Sequence, residues 1–255
     1  MEDNTNLFQL GICITSYNRQ VEAIKLVHRL KDFTEDSKCA IGIYLYVDGG
    51  ETDVIEKWKS VLHRGNISVT INPNEGVYKS KVSNLRSASV NCDWLIHCDD
   101  DDMLNLKTLS EIDENIYNGK YDNLELDIIQ FNCSKFDSTK GGFVNRFDLQ
   151  KKDNHNCLCF NGLLMRSDAI HPRLLTYFKD DISTWSNTTE SWGDDVLSPG
   201  YLTLDIPTHK MTCVNKVLAQ QDYIADEYHI CSDPKVYKKC RSYCKKYLRF
   251  IPLKF

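Results

Sequence analysis

What this 255-residue chain lacks narrows its class before any motif is read. No apolar run approaches the roughly 20 residues that a membrane-spanning helix needs. The opening Met1-Glu2-Asp3-Asn4-Thr5-Asn6 carries neither a basic segment nor an apolar one, so no secretory signal is expected. A cytoplasmic location with reduced thiols follows as the expectation. Positive charge is in deficit: 31 Lys and Arg face 36 Asp and Glu, a net charge of −5, so nucleic acid is not indicated as a partner. Neither a Walker A loop nor Gly-x-Gly-x-x-Gly follows the first apolar run, which disfavours P-loop and dinucleotide folds. The Asp-x-Asp-x-Asp-Gly spacing of an EF-hand loop is missing, as are repeats and low-complexity linkers.

Cysteine, by contrast, is plentiful at 11 residues. Cys13, Cys92, Cys98 and Cys133 fall in or beside expected strands, where a free thiol behaves as a small hydrophobe. Cys157-x-Cys159 and the group His229, Cys231, Cys240 and Cys244 could bind zinc, but neither has finger spacing.

The most informative stretch is Trp94-Leu95-Ile96-His97-Cys98-Asp99-Asp100-Asp101-Asp102-Met103-Leu104. Its first half has the bulk and branching of a buried strand. Four carboxylates cannot remain in that core, because each unpaired one costs several kcal/mol. The strand is therefore expected to end near Cys98 and deliver the aspartates to its C-terminal edge, where open α/β sheets bind ligands. Crowded carboxylates call for a cation, and hard oxygen donors select Mg²⁺, Mn²⁺ or Ca²⁺. The simpler alternative is a solvated acidic turn capping a helix that starts near Leu106.

Upstream, Leu10 to Thr15 reads as a buried strand, with Asn18 as a helix N-cap after it. The helix runs to about Lys31 on an apolar stripe of Val21, Ile24, Leu26, Val27 and Leu30. A second strand, Ile41 to Val47, ends at Asp48-Gly49-Gly50. A helix from Asp53 to Leu62 turns Val54, Ile55, Trp58 and Val61 inward, and a strand from Ile67 to Ile71 follows. Another helix, Val77 to Val90, leads into the Trp94 strand. This alternation predicts a parallel, doubly wound sheet whose strand ends at Thr15, Asp48 and Asp99 share one edge. Downstream, a helix over Leu106 to Tyr117 precedes a strand over Leu126 to Cys133 and a β-hairpin arm through Gly141 to Phe147. Cys157 to Met165 reads as one strand, with Asn161-Gly162 placed for close approach of a ligand. A second acidic pair, Asp194-Asp195, stands just before apolar residues. The tail from Lys235 interleaves Lys238, Lys239, Arg241, Lys245, Lys246 and Arg249 with aromatics, which fits a helix packed on the domain or contact with an anionic membrane surface.

Ile12 to Arg19, Val47-Asp48-Gly49-Gly50-Glu51-Thr52-Asp53, Gly76 with Asn84, and the aspartate run occur in that order. Together they resemble the family 2 glycosyltransferases of the GT-A fold, over roughly residues 8 to 200. The resemblance implies a single α/β domain with a Rossmann-like, mostly parallel central sheet, a β-hairpin arm and a helical, basic C-terminal tail. Its nucleotide-binding half would span about 8–104, its acceptor half about 105–230 and its tail 231–255. It implies a non-processive, inverting sugar transferase using Mn²⁺ or Mg²⁺ and a nucleotide-sugar donor, most simply a UDP-sugar. The acceptor would be a glycan, glycolipid or glycoprotein. Thr15, Tyr17 and Arg19 would line base and ribose, and Asp48 would meet the nucleobase edge. Asp99, Asp100 and Lys81 would hold the donor, with Lys79 or Arg86 as alternatives to Lys81. Asp101 and Asp99 would hold the metal, with His229 or His209 as a third ligand. Asp195, beside Asp194, would be the general base. Gly49 departs from the usual second Asp, and the Gln-x-x-Arg-Trp motif of processive members is absent.

The chemistry points the same way. A leaving nucleoside diphosphate develops charge that a divalent cation stabilises, and an acceptor hydroxyl needs a carboxylate to take its proton. Two separate acidic clusters meet these two demands. A sugar nucleotidyltransferase would carry a glycine-rich loop where Thr15-Ser16-Tyr17-Asn18-Arg19 stands. A non-catalytic nucleotide or carbohydrate binder is the remaining alternative.

Overall fold

A computed structural model describes residues 7–49, 53, 56, 59, 62, 65–137, 142–145, 155–158, 160–176, 199–221 and 250–252. Strands and helices alternate through its first half: β1 (Phe8–Ser16), α1 (Gln20–Glu35), β2 (Ile41–Asp48), β3 (Ile67–Asn72), α2 (Val77–Ser89), β4 (Cys92–Asp99) and β5 (Asp102–Leu104). Residues 53, 56, 59 and 62 are helical, and Leu62 is buried. Val54, Ile55, Trp58 and Val61 lie outside the described residues. The second half adds α3 (Leu106–Tyr117), α4 (Lys120–Asn123), β6 (Ile128–Asp137), β7 (Gly142–Asn145), β8 (His155–Cys157), β9 (Leu163–Arg166), α5 (Ser167–Thr176), β10 (Met211–Gln221) and β11 (Phe250–Pro252).

Among the described residues nine strands form one sheet in the order β3-β2-β1-β4-β9-β6-β10-β5, with β7 added on β6. The pairs β3–β2, β2–β1, β1–β4 and β6–β10 are parallel, while β9 runs antiparallel to both β4 and β6. The expected α/β sheet is therefore present, its parallel β3-β2-β1-β4 half joined to a mixed half in which β5 also runs antiparallel to β10, and β6 with β7 forms the expected hairpin arm. Strands buried on both faces need apolar residues on both, and the core accordingly has two parts. On one face Leu10, Ile12, Ile14, Trp94 and Ile96 meet Val27 and Leu30 of α1 and Leu109 and Ile112 of α3. On the other, Cys13, Leu95 and Met165 meet Val82 and Leu85 of α2 and Ile170 and Leu174 of α5. The four strand cysteines are buried free thiols, as expected.

Several local readings are corrected. Arg19, not Asn18, holds the N-cap position of α1, because Asn18 turns the chain at φ 55°, a left-handed conformation that asparagine tolerates. Val21 is half exposed, and Gln20 is buried instead, its amide donating to the Gly49 carbonyl at 3.3 Å. Asn105 caps α3 by accepting from Lys107 N and Thr108 N, so the aspartates are not the cap. β4 runs one residue beyond Cys98, and β6 begins at Ile128 rather than Leu126. The single strand expected over Cys157–Met165 is two, β8 and β9, broken by a turn at 160–162. There Gly162 has φ 82°, and a Cβ would stand 2.8 Å from the Phe131 carbonyl. Its close approach is to the neighbouring strand. The tail is not helical at 250–252, where β11 pairs antiparallel with β8; the remainder of the tail lies outside the described residues.

Asn84 joins helix to sheet. Its buried amide donates from α2 to the carbonyls of Ile14 (2.9 Å) and Tyr44 (3.1 Å), across β1 and β2. Replacing it with alanine leaves both carbonyls short of a donor, at a cost of about 2 kcal/mol. Asn84→Ala should lower the melting temperature by about 5 °C, read by circular dichroism. An unchanged melting temperature would show that the bridge contributes nothing to stability.

Candidate active site

The strand order reverses across β1. β2 and β3 lie on one side of it, and β4 on the other. Parallel sheets leave a crevice at such a reversal, outside the carboxyl ends of the strands. Thr15 is the register partner of Asp99 across that crevice, and of Tyr46 on the other side. The β1–α1 turn and the aspartate run both leave the sheet here, so residues 80 positions apart in sequence become neighbours.

The four aspartates meet four environments. Asp99 shares Oδ1 between Lys81 Nζ at 2.9 Å and His97 Nε2 at 3.0 Å, and Lys81 also reaches Oδ2 at 3.2 Å. Burial alone would raise its pKa, but the charge of Lys81 and the hydrogen bonds from Lys81 and His97 hold it well below the usual carboxylate range. Asp101 is paired with the guanidinium of Arg19. Burial and the charge of Asp99 push its pKa up, against the pull of Arg19. Asp100 Oδ2 is buried with no hydrogen-bond partner among the described residues. Burial pushes its carboxyl up to about 8, with the neighbouring Asp101 and Asp99 adding to the rise and Ser16 and Arg19 opposing it. Asp102 is buried within β5, opposite Gln221 of β10.

Of the cations considered for the phosphates, only Lys81 reaches the aspartates. Lys79 pairs with Glu75 at 3.6 Å, and Arg86 lies on an exposed groove between α2 and α5 of about 420 Å³. Tyr17 stands exposed beside the turn, and Thr15 is buried at its foot. Asp48 is also buried, its carboxylate accepting from Glu75 N at 2.6 Å and Gly76 N at 3.1 Å. In this conformation it clamps the turn that starts α2, where Gly76 takes φ 89°. Its oxygens are turned to the chain's own amides.

The structure thus gathers Thr15, Arg19, Lys81, Asp99, Asp100 and Asp101 at one edge. His209 is exposed on the 3₁₀ turn before β10, at the opposite end of the sheet. Asp194, Asp195 and His229 lie outside the described residues. Among the described residues no group of three His, Cys, Asp or Glu side chains is placed to hold a metal ion. Asp100 nevertheless has the mark of a carboxylate cluster that a cation would complete: a buried, unpartnered oxygen and a raised pKa. The donor set, all hard oxygen, suits Mg²⁺ or Mn²⁺. His97 was not anticipated as a site residue. Its signal is the alternation of a strand, which puts residue 97 on the same face as Asp99.

A Fringe-like family matches residues 19–122, less than half of the chain. No curated protein matches its sequence. Among solved structures it is similar to S. aureus TarS 1-349, with a TM-score of 0.53 at 14% identity, covering 83% of this chain and 60% of that one. The same TarS fragment in complex with UDP-GlcNAc gives a TM-score of 0.59 at 14% identity, over 94% and 66%. In complex with UDP it gives 0.51 at 14% identity, over 83% and 60%. The chain spans about two thirds or less of these relatives' length. The likeness establishes the fold, a GT-A-type α/β domain.

The raised Asp100 pKa has a consequence for stability. A carboxyl whose folded pKa lies above its unfolded value of about 3.9 contributes fully below that value and loses the contribution as pH rises through about 8. Without added metal, the melting temperature should therefore fall more steeply between pH 5 and 8 in the unmodified chain than in Asp100→Asn. Parallel profiles for the two proteins would show that Asp100 titrates normally.

Proposed function

We propose that the chain is a metal-dependent, inverting, non-processive glycosyltransferase of the family 2 type. It moves a sugar from a UDP-sugar to a hydroxyl of a glycan, lipid-linked or protein acceptor. The observation that carries this reading is the aspartate run at the strand reversal, flanked by Arg19 and Lys81. UDP-GlcNAc and UDP in the TarS structures, and the Fringe-like match across this same half, support a nucleotide-sugar donor.

In this reading Tyr17 and Thr15 flank the base and ribose, and Asp48 acts at the nucleobase edge through the turn it clamps. Lys81 supplies a fixed positive charge behind the diphosphate. Arg19 exchanges its contact with Asp101 for one with the donor. Asp101 and Asp99 would hold Mn²⁺ or Mg²⁺, with Asp100 close by. His229, eight residues after Gln221 in sequence, would be the third ligand. When bound, the ion neutralises charge developing on the departing diphosphate.

Transfer is a single displacement. The acceptor oxygen bonds to the anomeric carbon as the bond from that carbon to the diphosphate oxygen breaks. The leaving group takes the electron pair, and the acceptor proton passes to Asp195, with Asp194 beside it. The basic, aromatic tail would allow peripheral contact with an anionic membrane. Among the described residues no helix is long and apolar enough to cross one.

Thermal unfolding with UDP, GDP, dTDP and CDP, each with and without Mn²⁺, tests the reading. UDP with Mn²⁺ at about 100 times its dissociation constant should add roughly 2.7 kcal/mol, a rise of about 5–10 °C. Asp101→Asn should remove that rise. If no nucleotide raises the melting temperature, the transferase reading is wrong. Asp195→Asn should cut turnover by about a thousandfold while leaving UDP binding intact, and undiminished turnover would remove Asp195 as the base.

A further inference from the structure

His97 is fully buried in β4 with apolar neighbours: Cys13 is its register partner, and Leu95 and Phe160 lie close by. Its ring stands 5.3 Å from that of Phe160, tilted by 53°. Packing alone would be served at least as well by leucine or phenylalanine, neither of which brings polar atoms into the core. His97 brings two. Nε2 meets Asp99 Oδ1 at 3.0 Å, whereas Nδ1 has no partner among the described residues. An unsatisfied buried polar atom costs about 1–3 kcal/mol, so the bond to Asp99 is what the residue is there to make. The tautomer follows. A proton on Nδ1 would bury an N–H with no acceptor among the described residues, whereas one on Nε2 is donated to Asp99.

Asp99 is therefore held from two sides by groups that cannot themselves move far. Lys81, whose side chain is 5% exposed, grips both carboxylate oxygens and lies 5.8 Å from the centre of the Phe160 ring. His97 fixes Oδ1 from within the sheet. The 24% of the Asp99 side chain left exposed is the part a ligand can meet.

We propose that His97 is a positioning residue of the donor site, setting the Asp99 carboxylate, and with it the Lys81 ammonium, in the orientation that the donor diphosphate meets. The inference rests on the nucleotide-sugar reading given above. It assigns His97 no contact with donor or acceptor. Its contribution is to donor affinity, through Asp99.

Three substitutions separate hydrogen bonding from packing. His97→Gln carries an amide N–H about as far from the backbone as imidazole Nε2, but not the ring. His97→Leu fills part of the space with no donor. His97→Asn has an amide too short to reach Asp99, and carries the test should the leucine variant fail to fold. The readouts are the dissociation constant for UDP with Mn²⁺, by titration calorimetry, and the melting temperature. Leucine or asparagine should weaken UDP by about tenfold, and glutamine by no more than about twofold. All three should melt lower, leucine and asparagine because Asp99 loses the Nε2 donor, glutamine because it lacks the ring against Phe160. Equal affinities in the four proteins, or a loss with glutamine as large as with leucine, would overturn the inference and leave the transferase reading standing. Absence of UDP binding by the unmodified chain would overturn both.

Discussion

Charge compensation at the end of β4 is the constraint on which the rest of the site depends. Consecutive carboxylates repel one another, and an unpaired one out of water costs several kcal/mol. The fold answers residue by residue. Asp99 is met by Lys81 from α2 and by His97 from its own strand, and Asp101 by Arg19 from the β1–α1 turn. Asp102 is taken into the sheet edge as part of β5. Asp100 is left to rise in pKa. Each answer ties a different element to the same few ångströms, so the site and the relative placement of β1, α2 and β4 are one problem.

The same region shows how the sheet makes room. Antiparallel β9 bridges β4 and β6 through Ile96–Leu164 and Gln130–Leu163, and begins at Leu163. Beyond that point no described strand joins the two. The buried residues on the His97 face become polar here: Thr15 on β1, and Gln130, Asn132 and Ser134 on β6. Gln130 donates to the carbonyls of Phe131 and Asn161 at 2.9 and 3.1 Å, and Asn132 to Asn215 Oδ1 at 3.2 Å. These bonds orient an otherwise apolar sheet interior as it nears the cleft. Loss of any one would leave its partner unsatisfied in a low-dielectric setting.

Two motif residues serve structure before they serve chemistry. Asn84 spans β1 and β2 with its amide, and Asp48 gathers the amides that begin α2. Both keep the helix that carries Lys81 at a fixed height above the strands. A spacing pattern that reads as a binding motif can therefore persist because it sets the position of a cation on the same helix.

The sequence alone determined the order and period of the elements: apolar runs long enough for strands, a 3.6-residue stripe for α1, and an acidic run that had to end β4 at the sheet edge. These are local properties, set by side-chain bulk and by the cost of burying charge. It could not determine which cations meet which carboxylates. Lys79, Lys81 and Arg86 look alike in the chain, and only the phase of α2 against β4 sends Lys81 to Asp99 and Arg86 to the surface. Nor could it show that Asn105 caps α3, that Gly162 yields to a neighbouring carbonyl, or that residues 250–252 form a strand, because each depends on a partner far away in sequence. His97 is the clearest instance. In the sequence it is one residue in a hydrophobic strand; burial beside Asp99, its one hydrogen-bond partner among the described residues, is what gives its imidazole a direction.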